Sequence, residues 1–351
     1  MAILLLLSAP SAASGQMALQ IRPSSPDRSS DIELTKVVTI GLDGGEEYVG
    51  STFNVVTNGT HYYVAYRSPG FAIARFDTAG RFVDVHEREG SGPGEFREIA
   101  AVCLGPSGNL HVFDRAQGRV TELSPEFEFI STRNIPPNIN DNGGVVLGDG
   151  TVLINKASLS AERLGQLLHV VGSDGLVISS FGATGEPDIP HDLTGPRTVR
   201  WITDDGTGGV WVAHFEEYVV ENWGLDGVLH RRLHNEEDWF RKPEESSSNR
   251  KPQVLDLVRD EAGRLRVIIR VPATQPRGRG EADPWAKDNL WDYVVQVINP
   301  TNGLIEGTGQ FAGFAAGFLT PDTIFAYRWL ESGQTILDVW RVRLRQGQKT
   351  R

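Results

Sequence analysis

One cysteine, Cys103, stands in 351 residues. That excludes an intrachain disulfide and any multi-cysteine zinc site. Basic residues are outnumbered: 34 Lys and Arg face 45 Asp and Glu, a net charge of −11. Neutralising phosphates needs a basic surface, so the charge argues against nucleic acid as the main partner. Beyond the N-terminus no apolar run approaches the roughly 20 residues that cross a bilayer, and no membrane span is expected. Helical periodicity is nearly missing; Leu159 to Leu168 is the one candidate, and it is short. The familiar catalytic signatures are missing as well. There is no G-x-S-x-G elbow, no H-E-x-x-H pair and no 12-residue calcium loop. The loop Gly90 to Gly94 lacks the Gly-Lys-Ser/Thr of a phosphate loop and reads as a connector.

Glycine, in contrast, is abundant, with 39 residues, well above the usual rough 7%. Without a collagen period, this points to many tight turns. The turns recur in a pattern. Asn58-Gly59 precedes Tyr62-Tyr63-Val64-Ala65, Gly108-Asn109 precedes Leu110 to Asp114, and Asp149-Gly150 precedes Val152-Leu153-Ile154. Gly208-Gly209, Ala262-Gly263 and Pro321-Asp322 each precede a further alternating run. From Gly59 the turns step by 49, 42, 58, 55 and about 59 residues. A second turn, such as Ala79-Gly80 or Asp226-Gly227, follows inside each unit. Units of 40 to 60 residues with about four strands are the signature of a β-propeller. The expectation is an all-β, six-bladed propeller with four-stranded blades over residues 32–345. The sixth unit is one strand short, while Ile32 to Gly41 forms a strand before the first unit. This N-terminal strand is expected to complete the last blade and remove an exposed edge.

The ends read differently. Ala2 to Leu7 is apolar and is followed by Ser8, Ala9, Ser11, Ala12, Ala13, Ser14 and Gly15. That is the core and cleavage region of a secretory signal peptide over residues 1–15, although no Lys or Arg precedes Ala2. Secretion, or residence in the periplasm, is the expected localisation. Residues 16–31 are polar with two prolines and are expected to form a flexible leader. Residues 346–351 form a basic C-terminal tail.

The run Gly90-Ser91-Gly92-Pro93-Gly94-Glu95-Phe96, then Gly108 to Asp114, then Arg119-Val120 resembles one NHL repeat. The likeness covers about 40 residues, Gly90 to Ile130, with Gly182 to Glu186 a weaker copy of the connector. Arg97 and Glu98 stand where that family usually has proline, and Gly118 replaces its usual Asn. The resemblance implies a six-bladed propeller, with Asp114 and Arg119 as the family's structural polar pair. It implies no activity, since such rings bind proteins or RNA, or act as lyases and hydrolases.

Loop length carries the functional expectation. The turns on one face of the ring are short. The other face receives two long segments, about His234 to Gln253 and about Pro272 to Trp291, both adjoining blade five. Long loops on a rigid scaffold are where binding concentrates. Trp239, Phe240, Arg241, Arg277, Arg279, Trp285 and Trp291 are the candidate binding residues there. Aromatic and Arg side chains among acidic ones suit a protein or glycan partner of a monomeric module. The alternative is a metal-dependent propeller hydrolase or lyase with its site at the pore mouth. Arg97, Glu98, His191, Arg197 and Arg200 are its candidates, with His191 and His214 the best-placed metal-binding histidines. No cofactor is expected under the first reading. Under the second, Zn²⁺ on histidines or Ca²⁺ near Asn138, Asn140, Asp141 and Asn142 stands against ordinary strand and turn roles.

Overall fold

The structure, a computed structural model, describes residues 17–23, 32–43, 49, 52–67, 70–135, 139–158, 163, 165–183, 198–235, 240, 251–272, 291–311, 314–330, 332 and 334–345. Three strands lie before the first unit: β1 (Met17–Gln20), β2 (Arg22–Pro23) and β3 (Ile32–Ile40). Blade one is β4 (Thr52–Thr57), β5 (His61–Arg67), β6 (Phe71–Asp77) and β7 (Phe82–His86). Blade two is β8 (Ile99–Leu104), β9 (Leu110–Asp114), β10 (Arg119–Leu123) and β11 (Phe129–Asn134). Blade three is β12 (Ile139–Val146), β13 (Val152–Ser158), β14 (Leu168–Val171) and β15 (Val177–Phe181). Blade four is β16 (Arg200–Asp204), β17 (Gly209–His214), β18 (Val219–Gly224) and β19 (Leu229–His234). Blade five is β20 (Gln253–Arg259), β21 (Leu265–Pro272), β22 (Trp291–Asn299) and β23 (Leu304–Phe311). Blade six is β24 (Phe314–Thr320), β25 (Thr323–Trp329) and β26 (Thr335–Leu344), with β3 as its fourth strand.

Each blade is an antiparallel meander whose first strand lies innermost. The innermost strands touch in ring order, β4 to β8, β12, β16, β20 and β24, and β24 returns to β4. Closure is as expected from the sequence. β3 runs antiparallel to β26 from the pair Leu337↔Ile40 to the pair Leu344↔Ile32. Buried residues of neighbouring blades interlock. Val220 and Leu233 of blade four share one cluster with Val254, Leu257, Val267 and Ile298 of blade five. The alternating pattern seen in the sequence thus faces the gaps between blades, where apolar burial is worth about 25 cal/mol per Å².

Two polar clasps tie innermost strands together. At a bulge in β4, Asn54 accepts the Val102 N–H of β8 at 2.8 Å. At the matching bulge in β20, Asp256 accepts the Phe318 N–H of β24 at 2.7 Å and the Leu257 N–H at 2.7 Å. In blade two, Asp114 and Arg119 both brace the connector. The Asp114 carboxylate accepts the backbone N–H groups of Arg97 and Glu98, while the Arg119 guanidinium donates to the carbonyls of Ser91, Gly92 and Glu95.

One expectation is overturned. Residues Met17 to Pro23 are not a flexible leader. β1 pairs in parallel with β19, Met17↔Arg231 through Gln20↔His234, and so adds a fifth strand to blade four. β2 pairs in parallel with β23 on blade five. Between them Ile21 is 0% exposed and joins the cluster of blades four and five. The reason is physical. The outer edge of a blade offers a row of unpaired N–H and C=O groups, which an extended segment satisfies through its backbone while Leu19 and Ile21 pack against the cluster of blades four and five.

Two predictions follow from these contacts. Deleting Met17 to Pro23, or replacing Ile21 with Ala, is expected to destabilise the ring. Losing a buried Ile side chain costs about 2–5 kcal/mol, readable as a lower urea midpoint at unchanged slope. A variant with the wild-type midpoint would show that the strap adds nothing to stability. The second concerns Asp256. Part of it reaches solvent, yet protein walls it in on the innermost strand, and this burial pushes its carboxyl up to about 7 against the pull of two N–H donors. A raised acid binds its proton more tightly folded than unfolded. Its contribution is therefore full below about pH 4 and falls as pH rises toward 7. Asp256→Asn, which keeps an acceptor as Asn54 does, is expected to flatten that decline. Equal stability–pH slopes between pH 4 and 7 for the variant and the parent would contradict it.

Candidate functional site

The blade connectors and the loops between second and third strands share one face. There, blades four and five bring together charged and aromatic side chains from six strands. Arg200 opens β16 and His214 closes β17. Glu217 follows in the short loop, Glu221 sits on β18, and Arg232 sits on β19. Their antiparallel pairing sets the neighbourhood, since Arg200 pairs with His214 and Glu221 with Arg232.

His214 stands between two carboxylates. Its Nε2 is 3.2 Å from Glu221 Oε2 and its Nδ1 is 3.6 Å from Glu217 Oε2. Glu221 also accepts the Trp223 indole N–H at 2.9 Å and lies 3.4 Å from the Arg232 guanidinium. Burial works to raise the Glu221 carboxyl. The hydrogen bond and charge of His214, the Trp223 donor and Arg232 outweigh it and hold the group below the usual carboxylate range. The Arg200 guanidinium is 8% exposed; burial lowers it to about 10, opposed by Glu221 and Glu217. It remains a cation at neutral pH. The Asn155 side chain, from β13 of blade three, accepts the Arg200 backbone N–H at 2.8 Å and fixes where the strand begins.

A second group adjoins this one. Phe215 follows His214, and its backbone bridges the starts of two blades. It donates to Val199 O and accepts from the Val254 N–H. The Arg270 guanidinium of β21 lies 6.0 Å from the Phe215 ring and 4.7 Å from the Trp291 ring. Its Nε donates to Gln253 Oε1 at 2.6 Å. The pairing of Pro272 with Trp291 places the tryptophan where the long segment 273–290 rejoins the sheet.

These two groups suit binding better than proton transfer. Both His214 ring nitrogens already face carboxylates, so neither is directed outward as a base. A cation stacked on indole presents a flat, amphipathic surface at the same face. Among the described residues, no three of His, Cys, Asp and Glu are grouped to hold a metal ion.

The predicted residues are distributed unevenly. Arg200 and His214 lie together, and Trp291 is close by through Arg270 and Phe215. Phe240 is 5% exposed and stacks on Tyr218 at 5.3 Å, so it packs into the core between blades four and five instead of offering its ring to a partner. Arg97 and Glu98 belong to blade two, remote in ring order, where Glu98 pairs with Arg115. That hydrogen bond holds the Glu98 carboxyl low against slight burial. Trp239, Arg241, Arg277, Arg279, Trp285, His191, Arg197 and Asn138 lie outside the described residues, as do the side chains of Asn140, Asp141 and Asn142. Sequence reasoning missed Glu217, Glu221, Arg232 and Arg270. A charge inside the apolar run Val219-Val220-Glu221 was the available signal.

The architecture defines a six-bladed β-propeller whose last blade is closed by the N-terminal strand. Solved structures share that fold. One is a Bacteroides fragilis protein whose name marks it as a candidate for export, 13% identical, covering 94% of this chain and 100% of its own, with a TM-score of 0.62. Another is a member of the DUF4221 family from Bacteroides vulgatus, 11% identical, covering 90% and 100%, also at 0.62. No protein-family model matches the chain, and no curated protein matches it in sequence.

Proposed function

We propose that the chain is an exported propeller that binds a protein or glycan partner through the connector face of blades four and five. The observation that carries this is the joint placement of a caged charge cluster, Arg200 to Arg232, beside the Arg270–Trp291 stack. Aromatic and Arg groups on a rigid scaffold are the usual anchors of a binding surface. The contact surface extends to Trp239, Arg241, Trp285, Arg277 and Arg279, on the two long segments that flank these residues in the sequence. Export rests on the apolar run Ala2 to Leu7 with small residues after it, and the like-folded Bacteroides fragilis protein is itself named for export. Kinship with NHL repeats rests on blade two, where Asp114 and Arg119 brace the Gly-Pro-Gly connector.

Two measurements test this. Protein secreted from a competent host is expected to begin at Ser14 or Gln16 on N-terminal sequencing; intact retention inside the cell would defeat the export assignment. Screening the purified protein against arrays of oligosaccharides and of peptides is expected to yield ligands whose affinity drops about 30-fold or more on Trp285→Ala or Trp291→Ala, the loss of a hot-spot aromatic. Melting temperature is expected to hold for Trp285→Ala, as it does for changes away from packed features. Ligands unaffected by both substitutions would place binding elsewhere on the ring.

A further inference from the structure

The junction of blades one and two, across the ring from blades four and five, differs from the others in its turn. The difference emerges from comparing the junctions between blades. At the junctions of blades six and one, two and three, and three and four, the turn between the third and fourth strands of one blade abuts the end of the outermost strand of the blade before it. Glycine at positive φ lets this turn close tightly. A Cβ placed on Gly80 would lie 2.2 Å from Thr39 O, and one on Gly175 would lie 2.5 Å from Asn134 O. At the junction of blades four and five the pattern changes. A Cβ on Gly303 would meet Gln20 O at 2.5 Å, because the strap is inserted there. Ile21 N–H donates to His234 O at 2.7 Å and Arg22 N–H to Gly303 O at 3.1 Å. An extended segment thus occupies the slot between an outer strand and the next turn.

The junction of blades one and two has no strap among the described residues; one side is bounded by the connector at Gly94, whose carbonyl is 2.7 Å from His86 Nε2, and the rest is open. Its turn carries Phe127 at φ 66°, the one non-glycine residue with positive φ among the described residues. A bulky side chain is strained in that conformation. The ring is held in place: it lies 5.4 Å from His86 and 5.9 Å from Tyr63, with the Arg75 guanidinium 5.5 Å away. The Pro125 carbonyl accepts from Arg75 at 2.7 Å and from the Tyr63 hydroxyl at 3.2 Å. Phe127 therefore props the turn away from β7. A cleft of ≈ 630 Å³ opens between Asp84–Arg88 and Glu126–Phe129.

The cleft is acidic and continues onto an open edge. Asp84 is taken by Arg75 in a two-pronged pair at 2.8 and 2.7 Å. Glu87, Glu126 and Glu128 are exposed, against Arg88 as the one basic residue of the lining. Beyond it, among the described residues β11 pairs with β10 alone, and Phe129 and Ile130 are 44% and 46% exposed. We infer that this cleft and the β11 edge receive an extended, basic segment of a partner protein, with apolar residues alternating between its cations. It adds as a strand, as residues 17–23 do at the junction of blades four and five. The backbone edge supplies hydrogen bonds, the carboxylates select cations, and Phe129 and Ile130 cover the apolar side chains.

The probe is a short fluorescent peptide of alternating Lys and Val, titrated into the mature protein by anisotropy at low salt. It is expected to bind at least tenfold more tightly than its Glu and Val counterpart. N-methylation of alternate residues is expected to abolish binding, since strand addition needs the peptide backbone. Phe127→Gly, which lets the turn close, and the surface double variant Glu87→Gln with Glu128→Gln are each expected to weaken binding tenfold or more. The double variant keeps the test valid should Phe127→Gly fold poorly. Equal binding of both peptides, no binding of either, or binding indifferent to these substitutions would overturn the inference. So would a dimer in solution that disappears when Met17 to Pro23 is deleted, because the slot would then hold the strap of a second copy.

Discussion

Everything in this protein depends on disposing of sheet edges. Each blade has an inner edge at the ring centre and an outer edge at the rim, and an unpaired backbone row invites aggregation. The inner edges are dealt with by crowding six strands around the centre. The ring itself holds only because β3, from the start of the chain, pairs along the length of β26, from its end. That ladder converts an open arc of blades into a closed structure. The Asn54 and Asp256 clasps and the apolar clusters between blades all presuppose it, since each joins a blade to the next.

The outer edges are treated unequally. The same N-terminal chain passes along blades four, five and six, as β1, β2 and β3. Blades one, two and three have four strands each, with exposed apolar residues on or beside their outer strands, among them Val83, Phe129, Ile130, Leu176 and Ile178. Blades four and five therefore carry an extra strand on the outer edge, while blades one, two, three and six end on a fourth strand that no other described strand covers. The two covered blades carry the charge cluster and the Arg270–Trp291 stack. The uncovered blades include the described junction where a phenylalanine replaces the closing glycine.

The charge cluster shows how such a face is held together. Arg200 and Glu221 are nearly buried, and burying either charge alone would cost several kcal/mol. Each is tolerable because the ends of four adjacent strands deliver opposite charges to one place. Ionic pairing of this kind contributes little net stability, but it fixes side chains in one arrangement, which is what a binding surface requires.

Much of the architecture was legible in the linear chain. Turns at near-regular spacing and alternating apolar residues are local properties. They require only that each strand have one buried side, and they determined the blade number, the four-strand units and the missing strand that β3 supplies. The strap was not legible. Met17 to Pro23 is short and has no strand-like alternation bounded by turns, its pairing is parallel and made by backbone atoms, and among its described side chains Ile21 alone is fully buried. Nothing in seven residues announces an edge that lies more than two hundred residues away. The site was legible only in outline. Loop length directed attention to the connector face of blade five, where Trp291 was named as a binding residue, while Arg200 was named for a pore mouth and His214 for a metal; that Arg200 and His214 meet, with Trp291 near them, came from the structure. Glu221, Arg232 and Arg270 come from separate strands, and Phe240 turned inward, because contacts between blades are set by how twisted sheets stack, which no local pattern encodes. Sequence alone determined how many sheets there are and where they begin; only the tertiary structure decided which edges are covered, which charges meet and which junction stays open.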